Sequence, residues 1–165
     1  MLKKNKDFHN KIKSLSQLKN EVRKIKQNGK TVVFTNGCFD ILHYGHVKYL
    51  QDAARLGDIL VVGVNSDTSV RKIKGKNRPI NNESDRARII AALESSSLVT
   101  IFNEETPIEL IRLVRPDVLV KGSDWKNKTI VGADFVLKHG GKVKTIRLSK
   151  GRSTTNIINS IAKRT

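Results

Sequence analysis

What most constrains this chain is an alternation of short β-rich apolar runs with amphipathic helical stretches. The runs fall at 31–36, 59–65, 98–102, 117–121 and 142–146, and stretches of helical period lie at 46–56, 84–95, 106–114, 130–139 and 153–163. Strands that alternate with helices build βαβ units, which place a mostly parallel sheet between two helical layers. The expectation is an α/β chain with a doubly wound parallel sheet. Its 165 residues are the size of one domain. Sheets of this kind bind ligands at the carboxyl ends of their strands, so the loops after Asn36, Asn65 and Lys121 are where chemistry is expected.

Ahead of the first strand, residues 1–13 are polar and expected to fray. Ile12, Leu15, Leu18, Val22 and Ile25 then recur at three- and four-residue steps and predict a helix with one apolar stripe. Ser14 with Gln17 makes a capping box at its start, and Asn28-Gly29 ends it. Residues 1–30 therefore read as a basic tail and an amphipathic helix, and residues 31–165 as the domain proper.

The chain carries 32 Lys plus Arg against 15 Asp plus Glu, a formal net charge of +17, so its partner is expected to be anionic. The excess is spread over the whole chain. Its densest stretch is Arg71-Lys72-Ile73-Lys74-Gly75-Lys76-Asn77-Arg78. Aromatics are only 5%, and no zinc-finger spacing or RNA-recognition pattern is present, which favours solubility and substrate steering over nucleic-acid binding. The single cysteine, Cys38, permits no internal disulfide and no Cys-rich metal site. No apolar run approaches a membrane span and no signal-peptide pattern opens the chain, so a soluble cytoplasmic protein is expected.

The first strand runs into Asn36-Gly37-Cys38-Phe39-Asp40-Ile41-Leu42-His43-Tyr44-Gly45-His46. Neither GxGxxG nor GxxxxGK[ST] occurs here, which disfavours a dinucleotide site and a P-loop. His-x-Gly-His stands instead at a helix start, where backbone N–H groups and the positive helix end favour a phosphate. Two imidazoles flanking a glycine can approach that phosphate and donate to its oxygens. By spacing alone, capping or surface histidines and metal ligation stay open. Ser153-Thr154-Thr155 precedes the apolar helical positions Ile157, Ile158 and Ile161, so hydroxyls at a second helix start read either as a phosphate site or as an ordinary N-cap.

The His-x-Gly-His run resembles the nucleotidyltransferase superfamily that contains the glycerol-3-phosphate cytidylyltransferases. Lys74, Arg86, Gly122-Ser123-Asp124-Trp125 and Gly151-Arg152-Ser153-Thr154-Thr155 extend the similarity over about residues 31–161. Within that superfamily the chain is most similar to the D-glycero-β-D-manno-heptose 1-phosphate adenylyltransferases. The similarity rests on Thr35-Asn36-Gly37-Cys38-Phe39-Asp40, Arg78-Pro79-Ile80, Val120-Lys121-Gly122 and Gly132-Ala133-Asp134-Phe135-Val136. The resemblance implies a Rossmann-like nucleotidyltransferase fold in a single domain. It implies transfer of AMP from ATP to the heptose 1-phosphate, giving ADP-heptose and pyrophosphate for lipopolysaccharide or surface polysaccharide synthesis.

By the same resemblance His43, His46 and Lys74 are the catalytic residues, with Gly45 allowing close approach. Asn36, Gly37, Cys38 and Phe39 would line the nucleotide after the first strand, although no step requires the Cys38 thiol. Arg86, Lys121, Gly122, Asp124, Ser153, Thr154 and Thr155 complete the nucleotide set. Asp40, Arg78 and Trp125 are expected on the sugar phosphate, with a structural turn aspartate as the other reading of Asp40. Mg²⁺ is implied with ATP, held mostly by phosphates and water, and no dedicated protein ligand is named. The implied partners are ATP, a sugar 1-phosphate and a second copy in a homodimer. A separate sugar kinase is expected upstream, because residues 1–30 leave no room for the kinase to which this domain is fused in many relatives.

Two other functions compete. One is a CTP-dependent cytidylyltransferase acting on glycerol 3-phosphate or another polyol phosphate. The other is a catalytically silent nucleic-acid-binding protein, against which the intact His43, His46, Lys74 and Ser153-Thr154-Thr155 set argues.

Overall fold

A computed structural model describes residues 7–123, 130–147 and 151–164. In chain order the elements are α1 (Leu15–Gln27), β1 (Val32–Gly37), α2 (Tyr44–Ala54), β2 (Ile59–Asn65), α3 (Asp67–Lys74) and α4 (Glu83–Ala92). They continue as β3 (Leu98–Phe102), α5 (Ile108–Val114), β4 (Val118–Gly122), α6 (Ala133–Lys138), β5 (Lys142–Ile146) and α7 (Thr154–Ala162). Every expected strand and helix is present, and α3 is an additional helix. Its eight residues, capped by the Ser66 hydroxyl on the Ser69 N–H, are too short and too charged to show a helical stripe in sequence.

The five strands form one parallel sheet in the order β3-β2-β1-β4-β5. Because both faces are covered, successive side chains of a strand enter different cores. Val33 packs with Tyr49 and Leu50 of α2 and Ile90 of α4 on one face. Val32 and Phe34 pack on the other with Leu18 and Val22 of α1, Ile111 of α5 and Val136 of α6. Thr35, the next residue on the α2 face, is buried but satisfied: its hydroxyl meets the Tyr49 hydroxyl at 2.7 Å and the Val120 carbonyl at 3.1 Å. That pair ties α2 to the sheet one step before the loop that carries the histidines.

Strand order reverses direction between β1 and β4, and a crevice at such a switch point lies at the strands' carboxyl ends. Asn36-Gly37 of β1 and Lys121-Gly122 of β4 stand at that edge.

The expectation of fraying over residues 1–13 fails for residues 7–13. Phe8–Lys11 form a 3₁₀ helix, Phe8 and Ile12 pack on the α2–α4 core, and the Lys13 N–H donates to the Val99 carbonyl at 2.8 Å. β3 is an edge strand with open backbone groups, and two apolar side chains are enough to dock a polar segment on it. The capping box at Ser14 and Gln17 and the helix end at Asn28-Gly29 form as expected.

Candidate active site

The loop from β1 to α2 is held in an unusual backbone state. Phe39 adopts φ +46, which bulky residues rarely accept, and its buried ring folds back onto Gly37. A Cβ at Gly37 would lie 3.0 Å from that ring, so the glycine makes room for the fold-back. The ring then meets His46 edge-on, with centroids 5.3 Å apart. His43, at the N-cap of α2, stacks on His46 at 3.8 Å and an interplanar angle of 20°. Gly45 is what permits this stack: a Cβ there would stand 3.0 Å from both Cε1 and Nδ1 of His43.

The Nδ1 atoms of both histidines are buried, and neither has a hydrogen-bond partner among the described residues. Native proteins rarely leave such groups unsatisfied, so the pair retains capacity for a ligand. Both rings are held neutral. Burial, reinforced by the His43 ring and opposed by the Ile41 carbonyl, pushes His46 down to about 4. Burial and then the Arg152 charge lower His43. An anion between the two rings and Arg152 would reverse these effects.

Facing the stack is the N-terminal end of α7. The Ser153 hydroxyl caps the helix by accepting from the Asn156 N–H at 3.1 Å, and Thr154 donates to the Ile41 carbonyl at 3.3 Å. Thr155 is exposed. Together these elements border a cleft of about 320 Å³ that reaches from His43 along α7. Sequence and structure thus bring two helix N-termini and two imidazoles to one place. On the sheet side of the site, the Lys121 ammonium lies on the Asn36 side-chain oxygen, tying β4 to β1 across the switch point. Gly122 follows in β4, while Asp124 and Trp125 lie outside the described residues.

Lys74 is the exposed last residue of α3, and its charge reaches the Cys38 thiol. Burial pushes that thiol up, tempered by the cations Lys74, Arg86 and Arg78. Cys38 is half-buried, consistent with a packed side chain rather than a nucleophile.

Three expected ligand contacts are engaged with protein partners. Asp40 is 1% exposed, and its carboxylate accepts from Arg78 Nε at 2.6 Å, Ile80 N–H at 2.8 Å and Asn81 N–H at 2.9 Å. Burial raises its pKa, but the Asn81 and Ile80 amides and the Arg78 guanidinium outweigh that and hold it below the usual carboxylate range. With those donors bound it faces the 78–81 loop, and the turn-aspartate reading is the one the geometry supports. Arg78 in turn donates its Nε–H to Asp40. Arg86 is fully buried, donating to the Asn81 carbonyl at 2.9 Å, the Cys38 carbonyl at 2.6 Å and Asp67 at 2.8 Å. A helix-start arginine reads as a surface cation in sequence; two distant acceptors, Cys38 and Asp67, and the nearer Asn81 carbonyl draw it inside.

Arg152 is the residue that sequence reasoning passed over. Its guanidinium lies 5.3 Å above the Tyr44 ring, and it lines the cleft with His43 and Ser153. The only sequence signal was its position directly before Ser153-Thr154-Thr155. Lys48 on α2 pairs with Asp52 at i,i+4.

Comparison with known proteins agrees with this geometry. A family profile described as Cytidylyltransferase-like matches residues 34–159. The bifunctional protein HldE of Syntrophotalea carbinolica is 53% identical over 158 residues, covering 96% of this chain and 32% of that protein. HldE of Campylobacter fetus is 54% identical over 154 residues, covering 93% of this chain and again 32% of the relative. The chain thus spans about a third of the length of these curated relatives. Among solved structures, the lipopolysaccharide core biosynthesis protein from Thermoplasma volcanium aligns with a TM-score of 0.62 and 35% identity, covering 75% of this chain and all of that one. The Francisella tularensis pantoate-beta-alanine ligase aligns with a TM-score of 0.59 at 15% identity, over 87% of this chain and 68% of the ligase, and shares the fold alone. With the profile spanning both histidine and hydroxyl motifs, and the stacked imidazoles at the switch point of a parallel sheet, the chain belongs to the cytidylyltransferase-like family.

Proposed function

We propose that this chain is an adenylyltransferase that moves AMP from ATP to D-glycero-β-D-manno-heptose 1-phosphate. The observation that carries nucleotidyl transfer is the stacked His43–His46 pair, whose buried Nδ1 atoms have no partner among the described residues, with His43 bordering the cleft at the start of α7. The choice of ATP and heptose rests on similarity to the HldE proteins and on the motif resemblance.

A phosphate oxygen of the sugar 1-phosphate attacks the α-phosphorus of ATP, a new P–O–P linkage forms, and the bond to the β-phosphate bridging oxygen breaks. Pyrophosphate carries away the leaving electron pair. No covalent enzyme intermediate is needed, so the chain's work is to place the reactants and stabilise developing charge. His43 and His46 donate to the triphosphate, Lys74 follows charge from the α-phosphate to the leaving group, and the Ser153–Thr155 helix start meets terminal phosphate oxygens. Lys121 and Asn36 border the nucleotide at the sheet edge. Asp124 and Trp125 stay in the proposal as nucleotide and sugar contacts on the resemblance alone.

Mg²⁺ belongs to the substrate. Phosphate oxygens and water would coordinate it, as the resemblance implies. No helix among the described residues is long and apolar enough to cross a membrane, and we place the reaction in the cytoplasm with the nucleotide pool. A homodimer and a kinase activity that supplies the sugar 1-phosphate complete the proposal.

The test is pyrophosphate release with Mg²⁺, crossing ATP, CTP, GTP and UTP against heptose 1-phosphate and glycerol 3-phosphate. Turnover with ATP and heptose 1-phosphate alone is expected. Turnover with CTP and glycerol 3-phosphate would instead make the chain a polyol-phosphate cytidylyltransferase. Silence across the panel with tight, steeply salt-dependent RNA binding would favour the nucleic-acid reading.

A further inference from the structure

The reading of Lys74 as a triphosphate contact raises a mechanical problem. The lysine sits at the exposed end of a two-turn helix, followed by a loop with Gly75 at φ +98, and nothing in its own element fixes it. The imidazoles it must work with belong to a different loop, some thirty residues earlier in sequence. Positioning must come from what joins these segments.

A single buried network does so. Asp40, on the histidine loop, accepts from three donors of the 78–81 segment, and the Asn81 side chain returns a bond to the Asp40 carbonyl at 2.7 Å. Arg86 of α4 touches all the remaining parts: Cys38 on the histidine loop, Asn81 on the basic loop, and Asp67 in the first turn of α3. Asp67 also donates its N–H to Glu83 of α4 at 2.7 Å, so the start of α3 is anchored to α4 as well. The carboxylate of Asp40 and the guanidinium of Arg86 are both essentially inaccessible to solvent, so neither is available to a ligand without breaking these bonds.

We propose that Asp40 and Arg86 are positioning residues, which clamp α3 and the 75–82 loop to the histidine loop so that Lys74 meets the same phosphate group as His43 and His46. This rests on the proposed nucleotidyl transfer for its catalytic consequence, but the clamp itself is a statement about where Lys74 stands.

The chain's single cysteine makes that position measurable without turnover. Cys38 lies within the clamp, and its thiol feels Lys74, Arg86 and Arg78 as cations and Asp40 as an anion. These influences give opposite signs for one variant. If Asp40 acts on Cys38 only through its own charge, Asp40→Asn lowers the thiol pKa, because an anion has been removed. If Asp40 holds the cationic loop in place, Asp40→Asn lets Lys74 and Arg78 move off, and the thiol pKa rises. Asn81→Ala removes a clamp bond with no change of charge, and covers the case in which Asp40→Asn does not fold.

The experiment is the pH dependence of iodoacetamide alkylation at Cys38 in the intact chain, for the parent, Asp40→Asn, Asn81→Ala and Lys74→Ala, and for each clamp variant combined with Lys74→Ala. The expected result is that Lys74→Ala raises the thiol pKa in the parent and has no further effect in either clamp variant, the signature of coupled sites. In pyrophosphate release, Asp40→Asn is expected to lower kcat by about 10²-fold, the scale of a 1 Å misplacement, with KM for ATP moving far less. Arg86→Lys, which keeps the charge but cannot reach three acceptors, should recover only part of kcat. A thiol pKa that falls in Asp40→Asn, or an undiminished effect of Lys74→Ala in both clamp variants, overturns the clamp. A parent protein that releases no pyrophosphate overturns the functional reading, and the thiol measurements still decide the clamp.

Discussion

At His46 the ring is held neutral by burial and by the neighbouring His43, and this state sets two measurable consequences. The folded protein binds fewer protons here than the unfolded chain between pH of about 4 and 6.5. The stabilising contribution is therefore complete above the unfolded value and is lost as pH falls through that window. Urea unfolding at pH 7 and pH 5 should show the lower stability at pH 5, and His46→Phe should flatten the difference. Binding of a triphosphate adds negative charge beside both rings and should draw in a proton. Calorimetric titration with MgATP in buffers of different ionisation enthalpy should register net uptake. For turnover, His46→Ala removes one preorganised donor and is expected to cost about 2.7–4 kcal/mol in transition-state stabilisation, read as kcat in pyrophosphate release. Near-full turnover would remove His46 from the mechanism. The two histidines and their glycine were legible because the motif is contiguous. The true environments of Asp40, Arg78 and Arg86 were not, because each is decided by partners up to 48 residues away in sequence.

None of the residues of α7 is buried, although Ile157 and Ile161 form part of the cleft wall. Its start is stabilised chiefly by the Ser153 cap and by Thr154 reaching Ile41. Loss of a cap of this kind costs about 1 kcal/mol, so Ser153→Ala should speed amide exchange in the first turns of α7 while leaving the sheet protected. MgATP should slow the same amides in the parent, because a bound phosphate supplies the docking contact that packing does not. By contrast α2 is tied down: Leu50 is fully buried, and Leu50→Ala should destabilise the fold by about 2–5 kcal/mol in chemical denaturation. The helices at 84–95, 106–114 and 153–163 were readable from their helical period. The short, highly charged α3 was not, since its stability comes from the Ser66 cap and from Asp67 bound to α4.

For the whole molecule, the net charge of +17 favours the approach of the anionic substrate proposed here. Raising ionic strength should therefore lower kcat/KM for ATP mainly through KM, a dependence followed readily from low to high salt by pyrophosphate release. The alternation of strand and helix determined the α/β class and the parallel sheet, because period and run length are local properties that both helical layers must obey. The His-x-Gly-His and Ser-Thr-Thr motifs determined where to look for phosphate chemistry, because their spacing relative to helix starts is also local. Only the tertiary structure decided that the polar stretch at 7–13 docks on an edge strand, that His43 stacks on His46 and borders a cleft with Arg152, and that Asp40 and Arg86 face inward. Those outcomes depend on which distant backbone groups and charges meet after the sheet has formed. Burial then engages Asp40 and Arg86, which look like ligand contacts in sequence, with protein partners.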